Sequence, residues 1–189
     1  MHQHFMLHKP YGYLSQFISN DRKEQYKKFL GSLYAFPEGT MAIGRLDEKS
    51  EGLILLTTDG KMSSYFTSNA VEKEYYVQVD GEINSEAIQQ LEKGVEIGNK
   101  GQRFMTRSCA VRKLEVAPEF PPRSQKIRDD RHGPTSWVSI TLTEGKFKQV
   151  RKMTAAVGFP TLRLIRVRVG DFTVFQLKNG EVMELKSLR

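Results

Sequence analysis

Cysteine is almost missing from this chain. A single Cys109 in 189 residues excludes a disulfide framework and a cysteine-based zinc site. Long apolar runs are missing too. The longest wholly aliphatic stretch is Leu53 to Leu56, far short of the ~20 residues a membrane span needs. The start, Met1-His2-Gln3-His4-Phe5, has no basic region followed by an apolar one, so no signal peptide is expected. His2, His4, His8 and His132 lack helical metal-ligand spacing, and His2 and His4 read as part of a disordered terminus. There is no internal repeat, no low-complexity tract and no phosphate-binding glycine loop. These absences point to a protein of a reducing cytoplasm, away from membranes.

What remains is a globular mixture. Hydrophobic residues make up 39% and charged residues 27%. A chain of this length buries roughly 70% of its unfolded surface, enough for a core without covalent staples. The net charge is +7 and the pI about 9.5, and the charge is unevenly placed. Residues 1–102 carry 11 Lys+Arg against 14 Asp+Glu, residues 103–189 carry 18 against 8. A field of one sign attracts polyanions. The basic half also holds Phe104, Phe120, Trp137, Phe147 and Phe159, and aromatic and guanidinium planes are what unpaired bases stack on. Nucleic acid is the partner this favours.

Strand signals dominate. Phe5–Lys9, Met41–Ile43, Leu53–Thr57, Lys73–Val79, Ser108–Val116, Ser136–Thr143, Leu162–Val169 and Phe172–Leu177 read as strands, most of them closed by glycine, proline or Asp-Gly. Leu162–Val169 alternates aliphatic residues with arginine, which predicts one basic face. Helical spacing marks Asp21–Gly31, Lys61–Thr67, Asn84–Leu91 and Phe147–Val157. Ala117–Pro134, with four prolines and Arg123, Lys126, Arg128 and Arg131, reads as a long loop, either a nucleic-acid clamp or a solvated segment. Strands outnumber helices without regular alternation, so the expected class is α+β with a mixed, largely antiparallel central sheet flanked by helices and loops.

The most informative segment is Gly44-Arg45-Leu46-Asp47-Glu48-Lys49-Ser50-Glu51-Gly52-Leu53-Ile54-Leu55-Leu56-Thr57-Thr58-Asp59-Gly60. It sets Asp47 in a loop between two apolar strands, between glycines that admit a close backbone approach. Such a carboxylate either caps a turn or, kept ionised by a basic partner, acts as a nucleophile.

This segment resembles the catalytic motif of the pseudouridine synthases of the RsuA/RluB/RluE/RluF branch. Three more segments match in order: Leu7-His8-Lys9-Pro10-Tyr11-Gly12, Lys73 to Gly81 and Glu144 to Met153. The resemblance extends from about Phe5 to Leu185. Pro134 to Trp137, Ile140 to Leu142 and Met153 to Arg166 resemble the RluE subgroup, which acts on 23S ribosomal RNA. One departure is His8, where the branch usually has asparagine. The resemblance implies the pseudouridine synthase fold as one catalytic domain over 1–189, two sub-lobes flanking the cleft, and no N-terminal S4-like module. It implies a reaction that detaches uracil from ribose, rotates it and rejoins it through carbon, with no cofactor and no metal.

By the same resemblance Asp47 is the essential carboxylate, attacking C1′ or acting through a glycal. Tyr75 stacks on the target base, with Tyr76 facing the other way, and Arg151 pairs with Asp47. The base must leave its stack to react, and Arg45 fills the gap or touches phosphate. Lys9, Lys146 and Lys148 are expected RNA-backbone contacts. The implied partner is 23S RNA, in its peptidyl-transferase region, bound by a monomer. Competing readings are a synthase for another ribosomal uridine, a non-catalytic assembly factor on the same scaffold, and a hydrolase. The last needs a second carboxylate or a histidine as base, and Glu48 and Glu51 read as solvent-facing charges.

Overall fold

Apolar runs punctuated by glycine and proline become strands. In the computed structural model, which describes residues 1–189, the elements in order are β1 (His4–Lys9), β2 (Tyr13–Leu14), β3 (Lys28–Phe29), β4 (Met41–Ile43), β5 (Glu51–Thr57), α1 (Gly60–Thr67), β6 (Lys73–Asp80), α2 (Ser85–Lys93), β7 (Glu96–Asn99), β8 (Gln102–Met105), β9 (Ala110–Leu114), β10 (Thr135–Leu142), α3 (Gln149–Ala156), β11 (Thr161–Val169), β12 (Phe172–Thr173) and β13 (Val182–Leu185). Nine strands form one sheet with the path β13-β1-β5-β11-β6-β10-β9, β4 adding to β5 and β12 to β11. Within it only β5 and β11 run parallel. The class is therefore α+β with a mixed, largely antiparallel sheet, as expected.

Helices α1 and α2 start where short polar side chains satisfy free backbone N–H groups. Asp59 accepts from Lys61 N at 2.9 Å to open α1, and Asn84 accepts from Ala87 N at 2.9 Å to open α2. Ala87 and Leu91 are buried on one face of α2, with Ile88 packed beside them. In α3, Val150 and Met153 face the core, leaving Arg151 to point elsewhere.

Side chains alternate across the strands, so the sheet has two apolar faces. Met6, Leu53, Leu55, Trp137, Ile165 and Val167 build the core of one face. The other carries two clusters. Phe5, Leu7, Leu46, Ile54 and Leu56 form one, and Val77, Val138, Ile140, Val150, Met153 and Leu164 the other. Tyr75 packs against both, so it sits at the seam between them.

Four expectations fail here. His4 does not belong to a disordered terminus: it pairs with Thr57 and Leu185 across the sheet, and its Nδ1 lies 2.8 Å from the Thr57 hydroxyl. Residues 21–31 form no α-helix, only two single 3-10 turns joined through β3. Tyr26 there is 90% exposed, while Leu30 is buried in the core, so the apparent stripe does not form one packed face. Glu51 is not a solvent-facing charge but is 3% exposed, within β5. Finally, β11 has no single basic face. Arg163 and Arg166 lie three residues apart in regular register with β6 and so project to opposite faces, both buried. The hairpin β7–β8 was not anticipated, because Glu96 to Met105 carries only a thin apolar pattern.

Candidate active site

The β4–β5 loop presents Asp47, and its neighbours pin it from several directions. Ser15 uses its hydroxyl twice on Leu46, donating to the carbonyl at 2.6 Å and accepting from N–H at 2.9 Å. Gly12 N donates to Glu48 O at 2.8 Å. Lys27 binds both oxygens of the Glu48 carboxylate at 2.7 and 2.9 Å. Ser50 N closes the turn on Asp47 O at 2.9 Å. Behind the loop, Gly52 has φ +111°, and a Cβ there would fall 2.2 Å from the Arg166 carbonyl oxygen. Only glycine lets β5 approach β11 this closely. The loop is thus held on both sides of Asp47, which itself remains half-buried.

Asp47 lines a cleft of about 610 Å³ on the face with two clusters. Arg45, Tyr75, Glu144, Lys146, Lys148 and Arg151 also line it. Tyr75 is directed into the cleft, whereas Tyr76 packs on the opposite face against Phe120 and Phe175. Arg151 shares the cleft with Asp47, but no ion pair joins them. The guanidinium instead donates to Lys49 O at 3.0 Å and the Ser50 hydroxyl at 3.1 Å, gripping the loop that carries the acid. Burial pulls the Arg151 pKa below its usual value, and the charge of Asp47 opposes this. The charge of Asp47 thus acts on Arg151 without an ion pair between them.

Lys9 is not an RNA contact. It is fully buried, and its Nζ donates to the carbonyls of Pro10 at 2.9 Å, Tyr13 at 2.8 Å and Glu48 at 3.4 Å. All three ammonium donors are committed to backbone. Burial draws its pKa down to about 7, against the pull of Glu51, Asp47 and Glu48. Its place is under the Asp47 loop.

The other basic candidates do reach solvent. Arg45 is exposed at the cleft. Lys146 lies 4.5 Å from the ring centroid of Phe104. Lys148 and Lys152 lie 5.2 and 5.1 Å from that of Phe147, a phenylalanine 59% exposed. The turn that presents them is fixed from beneath. Gln149 donates to Glu144 at 2.7 Å and accepts from Lys146 N at 3.1 Å. Across the cleft, Gln16 and Glu24 form part of the wall, and the same segment exposes Tyr26 among Arg22, Lys23 and Lys28. That lip was missed because its charges read as the polar face of a helix.

The 117–134 loop is anchored to the body of the protein. Arg123 donates to Leu162 O at 3.2 Å and sits 4.6 Å over the Tyr11 ring. Arg128 pairs with Asp80, and Pro121 O accepts from Arg163 at 2.8 Å. Lys126 and Arg131 stay exposed. No three His, Cys, Asp or Glu side chains converge as a metal site.

A family model for RNA pseudouridylate synthase matches residues 3–156. The chain belongs to the RNA pseudouridylate synthase family. A relative named ribosomal large subunit pseudouridine synthase E, from Xanthomonas axonopodis pv. citri (strain 306), is 44% identical over 88% of this chain and 85% of its own length. One of the same name from Xanthomonas campestris pv. campestris is 42% identical over 93% and 91%. A crystal structure of a pseudouridylate synthase matches with a TM-score of 0.75 at 28% identity, covering 98% of this chain and 71% of that one. The fold is the pseudouridine synthase fold, and the protein is an RNA-modifying isomerase.

Proposed function

We propose that this protein converts a uridine of 23S ribosomal RNA to pseudouridine, acting as a monomer in the cytoplasm on the peptidyl-transferase region. The observation that carries the reading is Asp47, clamped on both sides in a cleft that also holds Tyr75 and Arg151. Relatives 42–44% identical over most of the chain are named for the large ribosomal subunit, which supports that substrate. No helix is long and apolar enough to cross a membrane.

In this account the exposed lips, Phe147 with its lysines on one side and Arg45 nearby, grip RNA through phosphate contacts and stacking. The target uridine leaves its stack, and Arg45 fills the space with a planar guanidinium able to stack and donate hydrogen bonds. Asp47 meets the ribose while Tyr75 covers the base. Arg151 acts as a positioning residue, fixing the loop through Lys49 and Ser50 rather than by touching the acid. The glycosidic bond breaks, the base turns, and C5 joins C1′.

The test is pseudouridine mapping across ribosomal RNA from cells with and without the protein. The reading expects one 23S uridine to lose its modification in the deletion strain and regain it with the wild-type gene. Unchanged modification at every position would overturn the substrate assignment and favour a non-catalytic assembly role.

A further inference from the structure

Lys9, Arg163 and Arg166 are buried cations beneath or behind the cleft, and the fold treats them differently. Lys9 has three carbonyl partners. Arg163 on β11 is held by two bonds to Glu51, at 2.9 and 2.8 Å, and one to Pro121 O at 2.8 Å. Arg166, three residues later, is as deeply buried at 5% exposed but has one partner. Its Nε donates to Leu53 O at 2.8 Å. Neither η nitrogen has a protein acceptor, Nη2 is wholly enclosed, and no carboxylate lies within ion-pairing distance. A buried guanidinium left in this state is costly, and a single close acceptor would relieve it.

The location narrows what that acceptor is. Arg166 lines the cleft. It lies directly across from Tyr75 in the β6–β11 ladder, and directly opposed residues share a face of a sheet. Lys73, two residues before Tyr75, also lines the cleft floor and donates only to the carbonyls of Ser68 and Thr143. The floor beside Tyr75 therefore carries two cations, neither with an ion-pair partner. Phosphates of a bound strand would meet the exposed lysines at the rim. The base is the part of a flipped nucleotide that travels to the floor.

Resting on the synthase reading above, we propose that Arg166 is a further catalytic residue, whose Nη1, the unpartnered η nitrogen that protein does not enclose, donates to a carbonyl oxygen of the flipped uracil, so that the guanidinium holds the negative charge of the detached base. When the C1′–N1 bond breaks, its electron pair stays on the base, spread over N1, O2 and O4. On rejoining, C5 returns a pair to C1′, the C5 hydrogen leaves as a proton and N1 takes one up. Charge thus builds on the carbonyl oxygens when the bond breaks, and again when C5 loses its proton before N1 gains one. A fixed guanidinium there favours the transition state over the bound substrate.

The experiment is single-turnover release of tritium from C5, using a 23S transcript that spans the peptidyl-transferase region. Its target position carries uridine, 2-thiouridine or 4-thiouridine. Arg166→Met is expected to slow release about 100-fold or more, the usual cost of losing such a donor, with RNA affinity within about threefold. Arg166→Lys should fall between. A thio base is intrinsically the better leaving group but a poor hydrogen-bond acceptor. Slower release from one thio substrate by the unaltered protein, with no added slowing in Arg166→Met, is the expected pattern. A folded Arg166→Met within about threefold of wild type overturns the proposal. So does an absence of slowing at either thio position with the unaltered protein, which decides even if the variants fail to fold. The unaltered protein's rate on plain uridine tests the synthase reading separately.

Discussion

His8 lies on β1 at 4% exposure, with Nδ1 3.3 Å from Leu177 O. Burial disfavours the imidazolium and lowers its pKa from 6.5, opposed by that carbonyl and by Glu51. Below pH 6.5 the unfolded chain takes up a proton that the native state resists, so stability is full above 6.5 and falls as pH drops through it. Melting temperatures measured from pH 7.5 to 5.5 should decline, and His8→Asn should flatten the decline. An equal slope in the variant would remove His8 as the cause. Single residues are also where sequence is least legible. Lys9, Glu51 and Arg166 carry charge, so they read as surface. Their burial depends on partners far along the chain: Glu48 for Lys9, Arg163 for Glu51, Leu53 for Arg166. Asp47 and Tyr75 were legible because a motif marked them. The neighbours that position the Asp47 loop, Ser15 above all, carried no mark.

At the scale of elements, the parallel contact of β5 and β11 holds the site together. On the back of the sheet it is fastened by Glu51 and Arg163, 3% and 8% exposed at their side chains. Removing one member of a buried pair strands the other. Glu51→Gln should cost about 3 kcal/mol in urea unfolding, and the double replacement Glu51→Leu with Arg163→Met should cost less than the single change. Equal costs would mean the pair is not the fastening. Strands such as β1, β4, β6 and β10 were legible because their apolar alternation is local and their ends are marked by glycine or proline. Residues 21–31 were not, since a few aromatics among charges imitate a helical stripe. The β7–β8 hairpin was not either, because its stability comes from packing Ile97 and Phe104 on the α2–α3 cluster.

For the molecule as a whole, the excess of positive charge in residues 103–189 becomes a cleft rim of lysines over phenylalanines, while other cations are spent inside. The two kinds separate in solution. If Lys146 and Lys148 neutralise phosphates, changing either to glutamine should reduce the slope of log K against log salt by about 0.7. Lys9→Met should leave that slope unchanged and lower the melting temperature. A salt slope that responds to Lys9 but not to the rim lysines would contradict the assignment. The central claim is that the clamped Asp47 carboxylate performs the chemistry on RNA held by this rim. Its most direct test compares wild type with Asp47→Asn, which keeps the shape and removes the charge, in C5-tritium release under single turnover. Release at background with RNA affinity within about threefold is expected. Release within about tenfold of wild type would contradict it.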